Sequence, residues 1–150
     1  MHASATSGAG FLIAVLWFDL MFDVQTRKHA DDTLPSEVLA SISAYYRRVT
    51  IEARPMNRLI AVVMGLTLLA IVAEIVQNAD HWWIAWVSLA AAASAIGLAR
   101  ARTVPNAMRL GNAADSLDVQ TRLARAIYRD HLYCLAAMIA LLGLQLSARL

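Results

Sequence analysis

A chain of 150 residues suits one ordinary domain, but 59% of its residues are hydrophobic, 16% are charged and mean hydropathy is +0.53. Soluble domains carry about 45–50% apolar and about 25% charged residues, so the composition excludes an ordinary soluble fold. The net charge of +2 and pI near 9 come without any nucleic-acid-binding signature, and the single cysteine, Cys134, excludes an intrachain disulfide.

Twelve of the thirteen Lys and Arg residues fall in two segments, Arg27 to Arg58 and Arg100 to Arg129, which alternate with four apolar runs. Lys and Arg accumulate in cytoplasmic loops. The pattern therefore predicts an all-α integral membrane protein, a bundle of four transmembrane helices. Its spans cover about 8–26, 56–77, 82–100 and 131–148, with cytoplasmic segments of about 27–55 and 101–130. Both termini are then outside, and the lipid bilayer is the first partner. The expected address is a bacterial inner membrane.

The N-terminal stretch Met1 to Gly10 carries no Lys or Arg, and the apolar run after it meets Asp19 and Asp23 rather than a small-residue cleavage site. It reads as a retained span, with Gly8-Ala9-Gly10 as a flexible entry. In the first basic segment, Thr33-Leu34-Pro35-Ser36-Glu37 is a helix start. Val38, Leu39, Ile42, Tyr45, Tyr46 and Val49 then follow at helical spacing, in a helix that ends before Pro55. The second span leads through Gln77-Asn78-Ala79-Asp80-His81, a polar turn without Lys or Arg, into a third span that opens on Trp82, Trp83 and Trp86. Indoles settle at the headgroup level, so these three read as an aromatic belt.

Ser88, Ala92, Ala93 and Gly97 give the third span a small-residue face on which helices approach closely, which makes it the expected central packing helix. In the second basic segment, Pro105 and Gly111-Asn112 are expected to break the chain. A helix from Ala113 or Ala114 then runs into the fourth span, with Leu117, Leu123, Ile127 and Leu132 as its apolar positions. The two cytoplasmic stripes can pack on each other, or lie on the membrane surface as amphipathic helices do. Asp23-Val24-Gln25-Thr26-Arg27 recurs as Asp118-Val119-Gln120-Thr121-Arg122. The echo allows a duplication of two spans, or two intrahelical pairs, Asp23 with Arg27 and Asp118 with Arg122.

Asp19 and Asp23 carry the most pointed chemistry. Four residues apart on a helix, they share a face that Arg27 extends. A charge at that depth costs about 2.5–3.5 kcal/mol on insertion scales, so it turns inward and needs partners. The candidate intramembrane site is Asp19, Asp23, Arg27, Arg58 and Glu74, with Glu74 read as a carboxylate reaching toward the headgroups. His2, His29, His81 and His131 show no metal-ligand spacing. A cluster of His29, Asp31, Asp32, Asp130 and His131 is the one conceivable metal set, and no metal or cofactor is expected.

Serine-hydrolase, phosphate-loop and dinucleotide motifs are absent. Three functional classes remain, none involving nucleic acid. The leading one is a non-enzymatic accessory protein that assembles with itself or with another membrane protein. The others are an oligomeric proton- or ion-coupled transporter using Asp19 and Asp23, and a membrane enzyme or redox protein acting on a lipid-soluble substrate.

Overall fold

The computed structural model describes residues 2–29, 32–77 and 82–147. Asp31, the Asn78-Ala79-Asp80-His81 turn and Arg149 lie outside the described residues. Those described form six α-helices and no strand: α1 (His2–Asp23), α2 (Ser36–Tyr46), α3 (Arg54–Val76), α4 (Trp82–Leu98), α5 (Val104–Asn112) and α6 (Leu117–Ser147). Four helical stretches are long and apolar enough to cross a membrane: Ala3–Lys28, Pro55–Val76, Trp82–Asn112 and Leu117–Ser147. An integral membrane protein follows from their length and composition.

The outward faces agree with this. Leu59, Val62, Leu66, Leu69, Val72 and Val76 leave α3 with an exposed apolar stripe along its length, and Trp82, Trp83 and Trp86 are at least half exposed at the start of α4. Large apolar side chains turned outward in such numbers suit a lipid surround.

Each spanning helix lies against two others: α1 against α3 and α6, and α4 against α3 and α6. The longest is α6, and it carries one seam from end to end. Gln120, Ala124, Ile127, His131, Cys134, Met138, Leu141 and Gln145 alternate at spacings of four and three, and all are buried. This heptad pattern keeps one face turned toward its neighbours. α6, rather than the third span, thus runs through both of the molecule's cores.

The first core lies among the spans and includes Leu12, Ile71, Ala92, Met138 and Leu141. The second lies at the end of the spans where the basic segments fall, here termed the basic end. It joins Leu39, Ile42 and Tyr46 of α2, Ala107 and Leu110 of α5, and Leu123 and Ile127 of α6. The two amphipathic stripes therefore do pack together. Leu117 and Leu132, expected in the second stripe, are 49% and 43% exposed and lie off the seam.

The small-residue face differs from expectation in register. Ala85, Ser88, Ala92 and Ala95 are buried, whereas Ala93 and Gly97 face outward, and a Cβ added at Gly97 would meet nothing within 4 Å. Gly8 is no flexible entry. It lies within α1, where an added Cβ would collide with the Thr67 hydroxyl of α3.

Pro105 does not break the chain either. α4 passes through a π-helical stretch, Ala99–Thr103, into α5, and Pro105 falls in the first turn of α5. Proline is tolerated in a first helical turn, and the wider π turn frees its backbone from the usual hydrogen-bond spacing. The break comes at Ala113, whose φ of 51° is left-handed, so α6 starts at Leu117 instead of Ala113. Arg109 closes that turn with two hydrogen bonds of 2.8 Å to Asp115.

α2 likewise widens into a π stretch, Arg47–Glu52, and ends at Ala53, before Pro55. Gly111 makes the crossing of α5 over this stretch possible, since a Cβ there would come within 2.8 Å of the Arg47 backbone nitrogen.

Candidate functional site

The polar centre lies between the two cores. α1 enters it with Asp19 and Asp23 one turn apart, α2 with the adjacent Tyr45 and Tyr46, and α6 with His131 from the middle of its seam. His131 Nδ1 donates to Asp23 Oδ2 at 2.6 Å, and the Tyr46 hydroxyl donates to Asp23 Oδ1 at 2.6 Å. Asp23 is fully buried, and each of its carboxylate oxygens has a donor. Such satisfaction is what a buried charge requires.

With Nδ1 engaged, the other ring nitrogen is turned toward Asp19. Nε2 stands 3.8 Å from Asp19 Oδ2, beyond hydrogen-bond reach, while Asp19 Oδ1 accepts from Tyr45 at 2.7 Å. Tyr45 stacks on Phe22 with ring centroids 4.0 Å apart. The centre therefore has a sealed side and an open one: the Asp23 side chain is 0% exposed and the Asp19 side chain 17%.

Both tyrosines remain donors. Burial, with the Asp23 carboxylate next in importance, holds the Tyr46 hydroxyl well above its ordinary pKa. Burial and the Asp19 carboxylate do the same for Tyr45. Neither phenol ionises near neutrality, so both stay hydrogen-bond donors to the two carboxylates. The arrangement is an imidazole oriented by a buried carboxylate and presenting its second nitrogen to a half-open edge. Acid–base chemistry uses that geometry.

Next to it on α6, Asp130 turns away toward the π stretch after α4. It pairs with Arg102 Nε at 3.1 Å and accepts from Thr103 Oγ1 at 3.3 Å. Asp130 and His131 therefore do not share a metal set. His29 and Asp32 meet Arg125 only through their backbone carbonyls, and Asp31 lies outside the described residues. No group of three metal-ligating side chains occurs among the described residues.

Asp19 and Asp23 do converge, but the other members proposed with them lie elsewhere. Arg27 and Arg58 are exposed, and neither makes an ion pair among the described residues. α1 gives way after Asp23 to a 3₁₀ turn, Val24–Lys28, which winds three residues per turn and carries Arg27 off the shared face. Glu74 does not reach for headgroups. It is buried near the far end of α3, where Gln145 Nε2 donates to it at 3.0 Å and lies 3.3 Å from Ser88 Oγ.

Asp118 accepts from Thr33 at 2.8 Å instead of pairing with Arg122. The two copies of the repeated pentapeptide thus sit at opposite helix ends. Asp23 closes α1, while Asp118 lies in the first turn of α6. They do not occupy equivalent places.

No protein-family model, curated protein or solved structure matches this chain. Its function has to be argued from the site.

Two of the five residues at the centre, Tyr45 and Tyr46, were not among the candidates from sequence, and His131 was considered only as a metal ligand. The tyrosines satisfied an apolar stripe by their rings, which hid their hydroxyls. His131 carried a usable signal: it interrupts a heptad seam whose neighbours Ala124, Ile127, Cys134, Met138 and Leu141 are apolar. A histidine in that position needs a buried partner, and Asp19 and Asp23 were already in search of one.

Proposed function

We propose that this chain is a four-helix-bundle membrane protein that performs acid–base chemistry on a membrane-soluble molecule at the cytoplasmic boundary of the bilayer. In this reading the basic end faces the cytoplasm and both termini lie outside, which the distribution of Lys and Arg supports. The observation that carries the proposal is His131: fixed by Asp23 at 2.6 Å, it presents Nε2 to the half-open Asp19 across 3.8 Å.

A transport reading asks for a polar route through the bilayer. Between His131 and Gln145, about 21 Å apart along α6, the seam is formed by Cys134, Met138 and Leu141. The polar clusters at its two ends are separated by a dry core, which supports chemistry at one end rather than passage from end to end.

The accessory reading retains one specific support. Ala93 and Gly97 form an exposed small-residue pair, which suits a helix of a second copy or of another membrane protein. Native mass spectrometry of gently extracted protein tests it, since a monomer without a partner would remove it.

The leading proposal is tested by infrared difference spectroscopy after a pH jump, on protein in lipid nanodiscs. The expected result is a carboxyl band and an imidazole band that change together and are both lost in Asp19→Asn and in His131→Gln. Bands that respond independently would overturn it.

A further inference from the structure

A groove of about 330 Å³ opens between α1 and α3, with Ser7, Gly8 and Phe11 on one wall and Leu59, Val63 and Leu66 on the other. That volume lies near the lower end of small-molecule sites. The Thr67 hydroxyl at its upper end donates to the Val63 carbonyl at 2.8 Å, which leaves a mainly apolar trough.

The trough descends toward the acid–base centre. Gly8 meets Thr67, which sets the register of α1 against α3. From that level Leu59 is eight residues along α3, about 12 Å, and Asp19 is eleven along α1, about 16 Å. The groove therefore ends roughly one helical turn short of Asp19. Phe18, 62% exposed, continues the stripe of Phe11 two turns on and precedes Asp19 in the chain.

At the lower end the available polar groups are an acceptor and a ring nitrogen side by side, Asp19 Oδ2 and His131 Nε2, 3.8 Å apart. With both ring nitrogens protonated, Nε2 donates where Asp19 Oδ2 accepts, so one hydroxyl, which donates and accepts at once, can serve both, whereas an ammonium only donates and a carboxylate or phosphate only accepts.

We infer that the groove and the centre form one site for a membrane-soluble molecule with a long apolar tail and an uncharged hydroxyl headgroup. The tail lies between α1 and α3, and the hydroxyl bridges Asp19 and His131. This rests on the acid–base reading of the centre and names the substrate class for it.

The test uses three photoreactive probes with one 18-carbon diazirine tail and different heads: a primary alcohol, a carboxylate and a primary ammonium. Each is mapped by mass spectrometry on the full chain in phosphatidylcholine nanodiscs. The alcohol is expected to label the Phe11, Leu59, Val63 and Leu66 walls roughly tenfold more than the other two, the worth of one hydrogen bond to a charged group. Asp19→Ala should abolish that preference while tail labelling persists. Ser7→Trp, which fills the groove from an exposed position, should suppress labelling by all three.

Equal labelling by the three heads, or labelling elsewhere on the chain, would overturn the inference. If the coupled infrared bands persist in that case, only the substrate class falls. If they are absent as well, the acid–base reading falls with it.

Discussion

The chain buries two polar clusters on one face of α6, and they are built differently. At the basic end His131 meets two carboxylates and two phenols from α1 and α2. At the other end Gln145 meets Glu74 of α3 and Ser88 of α4. The first joins an imidazole, two carboxylates and two phenols and leaves its Asp19 edge partly exposed. In the second, an amide holds a buried carboxylate and a hydroxyl, tying three helices at a fixed register. Polar groups within a membrane act as interhelical glue or as functional sites, and we propose one role for each cluster.

Substitutions should separate the two. The largest effect is expected of Asp23→Ala, which leaves His131 and Tyr46 buried without their acceptor. Breaking a buried pair on one side costs about 3–5 kcal/mol, read as a lower denaturant midpoint for the purified protein in detergent. Tyr46→Phe removes one donor from the Asp23 carboxylate and should cost about 1.5–3 kcal/mol in the same assay. Gln145→Leu, at the other cluster, should cost about 0.6 and at most about 1.7 kcal/mol, as interhelical hydrogen bonds in membranes do. A Gln145→Leu loss larger than that of Asp23→Ala would reverse the comparison.

The smallest effects fall outside both clusters. Arg27→Gln should change stability by no more than about 0.5 kcal/mol, because the 3₁₀ turn after Asp23 has already carried Arg27 off the site. Asp115→Asn probes the turn before α6. The hydrogen bonds from Arg109 hold the Asp115 carboxyl below its ordinary pKa, so its contribution is present above the unfolded-state value. That contribution is lost as pH falls through the lower folded-state one. The small difference between wild type and Asp115→Asn in thermal unfolding should therefore vanish on acidification and persist at neutral pH.

Much of the architecture was readable from residue pattern. The four apolar runs, the helix at Ser36 and the contact between the two amphipathic stripes follow from hydropathy and spacing. What escaped was local geometry. A π stretch let the helix run on through Pro105, and a 3₁₀ turn cut the Asp23–Arg27 face short. The buried side of α4 proved to be Ala85, Ser88, Ala92 and Ala95, whereas the expected face also included Ala93 and Gly97. In an Ala-rich helix every face carries small residues, so spacing alone does not choose among them.

The site was half legible. Asp19 and Asp23 declared themselves as acids in an apolar run, but their partners lie 23 to 112 residues away in sequence. The partner expected for Asp23 was a nearby arginine. The one found is an imidazole on the helix that runs through both cores.

In the proposed chemistry His131, fixed by Asp23, exchanges its Nε2 proton with a molecule bound beside Asp19. Histidine-selective ¹⁵N magnetic resonance of the protein in nanodiscs, followed from about pH 5 to 8 where imidazoles change charge, tests it directly. The resonance assigned by its absence in His131→Gln should titrate in the wild type. Its midpoint should move in Asp19→Asn, and in Asp23→Asn Nδ1 should lose the signature of a strong hydrogen bond. A His131 resonance that stays in one protonation state across the range, unmoved by either substitution, would contradict the account.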